Sequence, residues 1–199
     1  MGKMTTKSKC IIVTGRAGAG KTTLSKKLGA RLWMPVISRD EIKEGYVNTF
    51  GVKHDQLPKD TDLIVTNLFF DLVNQCLTGK VSVIIEAAFQ HKVWEPWIDK
   101  IAEIAKPFII ICSIDTDLAA RRHLQRGLDH PQREFYHDDK RVSIYRATGE
   151  MGTPKPYEPP DLDVPTLKVS TDGEYSPTID EIVEKIRGLV KDDAGARPS

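Results

Sequence analysis

Gly15-Arg16-Ala17-Gly18-Ala19-Gly20-Lys21-Thr22 fits the pattern G-x-x-x-x-G-K-[ST] at every fixed position. It follows the apolar run Cys10-Ile11-Ile12-Val13 and leads into Thr23-Leu24-Ser25-Lys26-Lys27-Leu28, so the sequence predicts a strand, a glycine-rich loop and a helix in succession. Glycines let the backbone turn tightly enough for successive N–H groups to converge on phosphate oxygens, and the helix that follows aims its positive dipole end at the same point. Lys21 adds an ammonium for the β- and γ-phosphates, and the Thr22 hydroxyl is the expected ligand of Mg²⁺. The stretch from Gly15 to Thr23 is therefore read as a nucleoside-triphosphate site.

Outward from the loop, apolar strand-like runs at 10–14, 34–37, 81–86, 107–113 and 166–170 alternate with helical patterns at 21–32, 40–47, 61–78, 93–105, 116–127, 132–146 and 177–190. Strands separated by helices imply parallel β-α-β units and a three-layer α/β domain. Asp115-Thr116-Asp117 and Ser176-Pro177 read as helix starts, and Gly127 reads as a helix stop. The prolines of Thr153-Pro154-Lys155-Pro156-Tyr157-Glu158-Pro159-Pro160 predict an extended connector. One domain is expected over 10–190, with tails at 1–9 and 191–199.

Composition narrows the partners. The 199 residues are 40% hydrophobic and 29% charged, and the net charge of +1 provides no uniform field for nucleic acid or anionic membrane. No apolar run has the length of a membrane span, and the first residues lack a secretory hydrophobic core, so a cytoplasmic location is expected. Cys10, Cys76 and Cys112 are an odd number without C-x-x-C spacing, which predicts free thiols in a reducing compartment and neither disulfides nor zinc.

Other candidate residues lie at predicted strand ends. Val81-Ser82-Val83-Ile84-Ile85-Glu86 ends in a carboxylate, and in open α/β sheets ligands sit outside the carboxyl ends of strands, so Glu86 is expected beside the phosphate loop as a metal-side acid. Asp40, in Ser38-Arg39-Asp40 after the second strand, is a candidate general base facing the γ-phosphate, and helix capping is the competing role. Arg122 and Arg126 are four apart on one helix face and could close over one polyphosphate or form a solvated basic face. The polar stretch that follows, Arg133 to Arg141, suits a mobile lid, placed at about 118–146. The five histidines have no metal-ligand spacing and read as surface or packing residues. Trp94, Trp97, Ile98, Ile101 and Ile104 read as a core stripe.

The phosphate loop, Ser38-Arg39-Asp40, the strand ending in Glu86 and Arg122-x-x-x-Arg126-Gly127 together resemble the P-loop kinases of the polynucleotide-kinase and chloramphenicol-phosphotransferase type, and the small AAA-type ATP-binding kinase-like proteins around them. The resemblance covers about residues 10–190 and implies a P-loop NTPase fold with a parallel five-stranded sheet and a helical lid. It further implies Mg²⁺-ATP as donor and transfer of the γ-phosphoryl to a hydroxyl. By matching positions, Lys21 and Thr22 would bind ATP and Mg²⁺, Asp40 would accept the hydroxyl proton, Arg39 would sit near the acceptor, and Arg122 and Arg126 would be lid arginines. Adenine would lie against the lid helix and the loop Ser170-Thr171-Asp172-Gly173, with Thr171 and Asp172 as its contacts. Glu86-Ala87-Ala88-Phe89 departs from the Asp-Thr-Asn-like segment of polynucleotide kinases, and no long basic track is present. The favoured acceptor is thus a small hydroxylated molecule. A 5'-hydroxyl polynucleotide kinase and a slow ATP-binding switch are the alternatives.

Overall fold

Ser8–Thr14 forms β1, in which Cys10 and Ile12 point to one face of the sheet and Ile11 and Val13 to the other, all fully buried. A strand buried on both faces needs helices above and below it, and the chain supplies them. The structure, a computed structural model, describes residues 7–137, 140–154 and 156–189, Lys140 through its backbone alone. After β1 come α1 (Lys21–Leu32), β2 (Val36–Ser38), α2 (Arg39–Phe50), α3 (Thr61–Thr78), β3 (Val83–Glu86) and α4 (His91–Ile104). β4 (Ala105–Ser113), α5 (Thr116–Asp129), α6 (Arg133–Tyr136), α7 (Lys140–Thr148), β5 (Thr166–Ser170) and α8 (Ile179–Gly188) complete the described chain.

The five strands are parallel in the order β2-β3-β1-β4-β5. Phe69, Phe70, Val73 and Leu77 of α3 and Trp94, Ile98 and Ile101 of α4 pack on one face; Leu24 and Leu28 of α1 and Ile182, Val183 and Ile186 of α8 pack on the other. Trp94 is wholly buried, and its indole N–H donates to Thr14 Oγ1 at 3.2 Å, so the largest side chain of the core has its one polar atom satisfied. Truncating it to alanine would cost about 3–5 kcal/mol in lost transfer energy and cavity formation.

The chain runs from β1 toward β2 and β3 on one side, then crosses back over β1 to β4 and β5, so the carboxyl end of β1 is the topological switch point where such sheets bind ligands. Register levels the strand ends: Val13 pairs with Glu86, Ser38 with Glu86, and Thr14 with Ile111.

Several boundaries differ from the sequence reading. Ser8 and Lys9, assigned there to a tail, open β1; of the expected tails, 1–6 and 191–199 lie outside the described residues. The single helix expected at 132–146 is interrupted after Tyr136, where His137 adopts an extended backbone at φ −134° and ψ 145°. Gly127 does not stop α5, which runs to Asp129 with Gly127 buried in its last turn. Asp115 does cap α5, its Oδ1 accepting from the N–H groups of Asp117 and Leu118 at 3.1 and 2.9 Å. α8 starts at Ile179, not Pro177, because Thr178 and Glu181 form a reciprocal capping box, whereas Ser176 pairs with Ser170 in a β-bridge.

Candidate active site

The glycine loop is held by what it touches. Gly15 has φ +146°, and a Cβ there would lie 2.7 Å from the Cys112 carbonyl oxygen of β4. Gly18 has φ +83°, and a Cβ would overlap the Ala119 carbonyl oxygen of α5. Both positions combine a left-handed backbone with close backbone approach, so only glycine fits. The loop is thereby wedged between the end of β4 and the start of α5.

Lys21, in the first turn of α1, is buried, and its Nζ donates to the Arg16 carbonyl at 3.0 Å. Burial lowers the pKa of this ammonium, and the Glu86 and Asp40 carboxylates oppose the shift. Glu86 is also buried, and burial raises its pKa against the pull of Lys21 and of two hydroxyls. Those hydroxyls are Ser38 Oγ and Thr22 Oγ1, which donate to the same oxygen, Glu86 Oε2, at 2.8 and 3.3 Å. The phosphate-loop threonine, the end of β3 and the end of β2 thus meet at one carboxylate oxygen.

A cavity of about 120 Å³ opens over this junction. Ala17, Lys21 and Thr22 form its floor, Asp40 one wall, and Glu86 and Ala88 the end of β3. From the opposite side come His123 and Arg126 of α5, Arg133 of α6, and His137. Arg126 of α5 and Arg133 of α6 therefore face the carboxylates of Asp40 and Glu86 across a small polar space, an arrangement that matches a polyanion better than an apolar ligand. α6 is tied to α2 and the segment after it: Glu44 reaches His137 Nε2 at 2.7 Å and Arg133 at 3.6 Å, and Lys53 reaches Glu134 at 3.4 Å. The His137 hydrogen bond, foremost, holds the Glu44 carboxyl below its usual range.

The sequence-derived candidates divide here. Lys21, Thr22, Asp40, Glu86 and Arg126 converge on the cavity. Arg122 does not accompany Arg126: its guanidinium donates to the carbonyls of Thr171 and Asp172, both at 2.7 Å, so it braces the loop after β5. The expectation that both arginines close over one polyphosphate is corrected accordingly, since the helix turns the two side chains onto different partners. Arg39 turns to α3, donating to Asp62 Oδ1 at 2.7 Å, where Lys43 Nζ joins it at 2.9 Å. Thr171 Oγ1 donates to the Ala19 carbonyl at 3.0 Å, linking that loop to the phosphate loop. Asp172 accepts from the Asp115 N–H at 2.9 Å.

A family model described as an AAA domain matches residues 10–144, more than half of the chain, from within β1 into α7. The chain belongs to the AAA domain family. The AAA domain described above is similar in fold to a candidate kinase from Chloroflexus aurantiacus, with a TM-score of 0.73 and 24% identity over 92% of this chain and 98% of that one. It is also similar to the APS kinase of Mycobacterium tuberculosis in complex with AMPPNP and APS, with a TM-score of 0.59 and 15% identity over 94% and 99% of the two chains. A gluconokinase from Sinorhizobium meliloti gives a TM-score of 0.56 and 14% identity over 94% and 96%. These likenesses establish a P-loop kinase-like fold. Among curated protein sequences, none is significantly similar to this chain.

The AAA domain contains site residues that the sequence reading passed over. His123 and His137, read as surface or packing residues, line the cavity. Ser38, immediately before α2, makes no cap bond and instead orients Glu86. A serine at a strand end has no distinguishing pattern, and only strand pairing brings it opposite the carboxylate. Among the described residues no three His, Cys, Asp or Glu side chains converge on one point. Thr22 and Glu86 offer one hydroxyl and one carboxylate oxygen, which fits Mg²⁺, a hard ion that completes its shell with water and substrate phosphates. No described helix is long and apolar enough to cross a membrane.

Proposed function

We propose that this AAA domain is an ATP-dependent phosphotransferase that moves the γ-phosphoryl of Mg²⁺-ATP to a hydroxyl of a small molecule. The observation that carries this reading is the cavity itself, in which the Lys21 ammonium and the Thr22–Glu86 pair stand on one side and the exposed Asp40 carboxylate on another. The backbone from Gly15 to Thr23 would cradle the phosphates, with Lys21 moving from the Arg16 carbonyl to the β/γ-oxygens. Mg²⁺, held by Thr22 and Glu86, would supply charge neutralisation at those oxygens.

Asp40 would take the proton of the acceptor hydroxyl as its oxygen bonds to the γ-phosphorus and the bridging P–O bond breaks, the electron pair leaving with ADP. Arg126, with Arg133 beside it, faces the same space and would stabilise the equatorial oxygens in the transition state. The ion pairs that join α2 and the segment after it to α6 and His137 support a lid over about 118–146 that closes on the acceptor and excludes water, which otherwise competes for the phosphoryl group. Arg122 would hold the loop carrying Thr171 and Asp172 in place for the adenine. The small volume of the cavity and the near-neutral net charge favour a small acceptor over a nucleic acid.

The test is transfer from γ-labelled ATP to mixed metabolites, hydroxylated antibiotics, and 5'-hydroxyl DNA and RNA ends. Labelling of a small molecule is the expected result. Labelling of oligonucleotide ends alone would establish the polynucleotide reading, and no labelled product with every acceptor mixture would leave a nucleotide-dependent switch.

A further inference from the structure

The β4-to-β5 connection covers its part of the sheet differently from the others. Among the described residues, no side chain of α5, α6 or α7 belongs to either core cluster. On the α3/α4 side of the sheet, the β5 end is roofed by the proline connector, whose Leu162 and Val164 pack against the edge of the core. This roof is fixed at both ends of a short span: the His91 N–H donates to the Glu158 carbonyl at 3.1 Å, and the Asp161 N–H donates to His91 Nδ1 at 3.1 Å. A non-helical roof over the sheet leaves space beneath it. Two hollows of about 200 and 560 Å³ lie there and share Ile111, Pro159 and Lys168, so they form one groove, larger than the cavity over the phosphate loop.

The groove has a consistent chemistry. Its walls are apolar at Ile111, Leu162, Val164 and the two prolines. On β5, Leu167 and Val169 pack into the opposite core, which turns Thr166 and Lys168 toward the groove. Arg16 of the phosphate loop lines the smaller hollow. Neither Arg16 nor Lys168 makes an ion pair or a side-chain hydrogen bond among the described residues, and Asp161 is the one carboxylate of the lining. Two cations without partners beside a slot of mixed apolar and polar lining favour an amphiphilic anion.

We infer that the groove under Pro159 and Pro160 is a second small-molecule site, which takes an organic anion with its flat or aliphatic body beneath the prolines and its acidic group on Lys168 and Arg16. The site adjoins the nucleotide loop at two points. Arg16 belongs to that loop, and Tyr157, which lines the groove, shares a hydrogen bond of 3.2 Å with Thr14 immediately before Gly15. The inference does not depend on which acceptor the protein phosphorylates, because its test reads binding alone.

The test uses two probes with the same aromatic body, 8-anilinonaphthalene-1-sulfonate and the uncharged N-phenyl-1-naphthylamine, titrated by fluorescence into the folded full chain. One saturable sulfonate site is expected, at least tenfold tighter than the amine. Lys168→Glu, which reverses the charge, and Thr166→Trp, which fills the groove, should each weaken sulfonate binding at least tenfold. Both residues are exposed on the edge strand β5, and Lys168→Gln repeats the measurement without an added charge. Lys100→Glu serves as the control, at the separate hollow between α3 and α4 lined by Phe70 and Trp97. Equal affinity for the two probes, or loss of binding in Lys100→Glu with retention in the β5 variants, would overturn the inference. Complete displacement of the sulfonate by Mg²⁺-AMPPNP would also overturn it, by showing that the groove belongs to the nucleotide.

Discussion

Ser38 and Glu86 are register partners on β2 and β3, and the Ser38 hydroxyl donates to the Glu86 carboxylate at 2.8 Å. Ser38 immediately precedes α2, which carries Asp40, while Glu86 accepts from Thr22 of the phosphate loop. The hydrogen bond therefore ties the Asp40 side of the cavity to the phosphate-loop side. A buried carboxylate with fixed partners keeps its orientation when the ligands around it change.

Lys21→Ala removes the ammonium from the floor of the cavity. It should abolish phosphoryl transfer, with a loss of at least about 10² in kcat, and weaken ATP binding, because both ground-state and transition-state phosphate charge lose a partner. Steady-state kinetics and nucleotide titration of the purified variant check this, and unchanged turnover would remove Lys21 from the reaction.

Asp40→Asn separates a base from a cap. A general base contributes about 10² to 10⁴ in rate with little effect on ATP affinity. Asparagine caps helices as well as aspartate does, so a capping role predicts surviving activity. Measuring kcat beside the ATP Kd distinguishes the two.

Glu86→Gln should raise the Mg²⁺ concentration needed for half-maximal activity by about 10- to 100-fold, and Ser38→Ala should move it in the same direction by less. Burial raises the Glu86 pKa, so part of the carboxyl is protonated at a pH where an ordinary glutamate is fully ionised. The Mg²⁺ requirement of the wild type should accordingly climb as pH falls, and Glu86→Gln should flatten that dependence. A Mg²⁺ titration across pH reads both effects.

Arg126→Ala and Arg122→Ala should differ in kind. Arg126 faces the cavity, so its loss should lower kcat with the fold unchanged. Arg122 holds the Thr171 and Asp172 carbonyls, so its loss should raise hydrogen exchange in the loop after β5 and weaken nucleotide binding. Identical profiles for the two variants would contradict the separation of their roles.

Asp62 supplies a stability prediction. Burial alone would raise its carboxyl, but hydrogen bonds from Lys43 and Arg39 outweigh burial and hold it at about 2, below the usual 3.8. A depressed carboxylate stabilises the fold above its unfolded pKa, and that contribution disappears as pH falls through the folded value. The wild type should therefore lose stability between about pH 4 and pH 2, and Asp62→Asn should show a flatter profile there. Because the side chain is 68% exposed, solvent screening limits the effect to about 1 kcal/mol or less. Chemical denaturation as a function of pH measures it.

The sequence by itself determined the phosphate loop, the parallel α/β architecture and the core stripe of α4, because each rests on local spacing. Glycines at fixed offsets, apolar runs between helical periods and Trp94-x-x-x-Ile98 are visible without a third dimension. Tertiary structure alone decided which polar side chains share a cavity. Ser38 and Glu86 are 48 residues apart and meet through strand register, and His137 reaches Glu44 across 93 residues through the packing of α6 on α2. The same limit applies to Arg122 and Arg126: helical spacing places them on one face, but the loop after β5 takes one guanidinium and leaves the other to the cavity. A charged side chain several bonds long settles on the nearest unsatisfied oxygen. Which oxygen that is depends on the crossovers of the sheet, a property of long-range chain packing that local residue spacing does not carry.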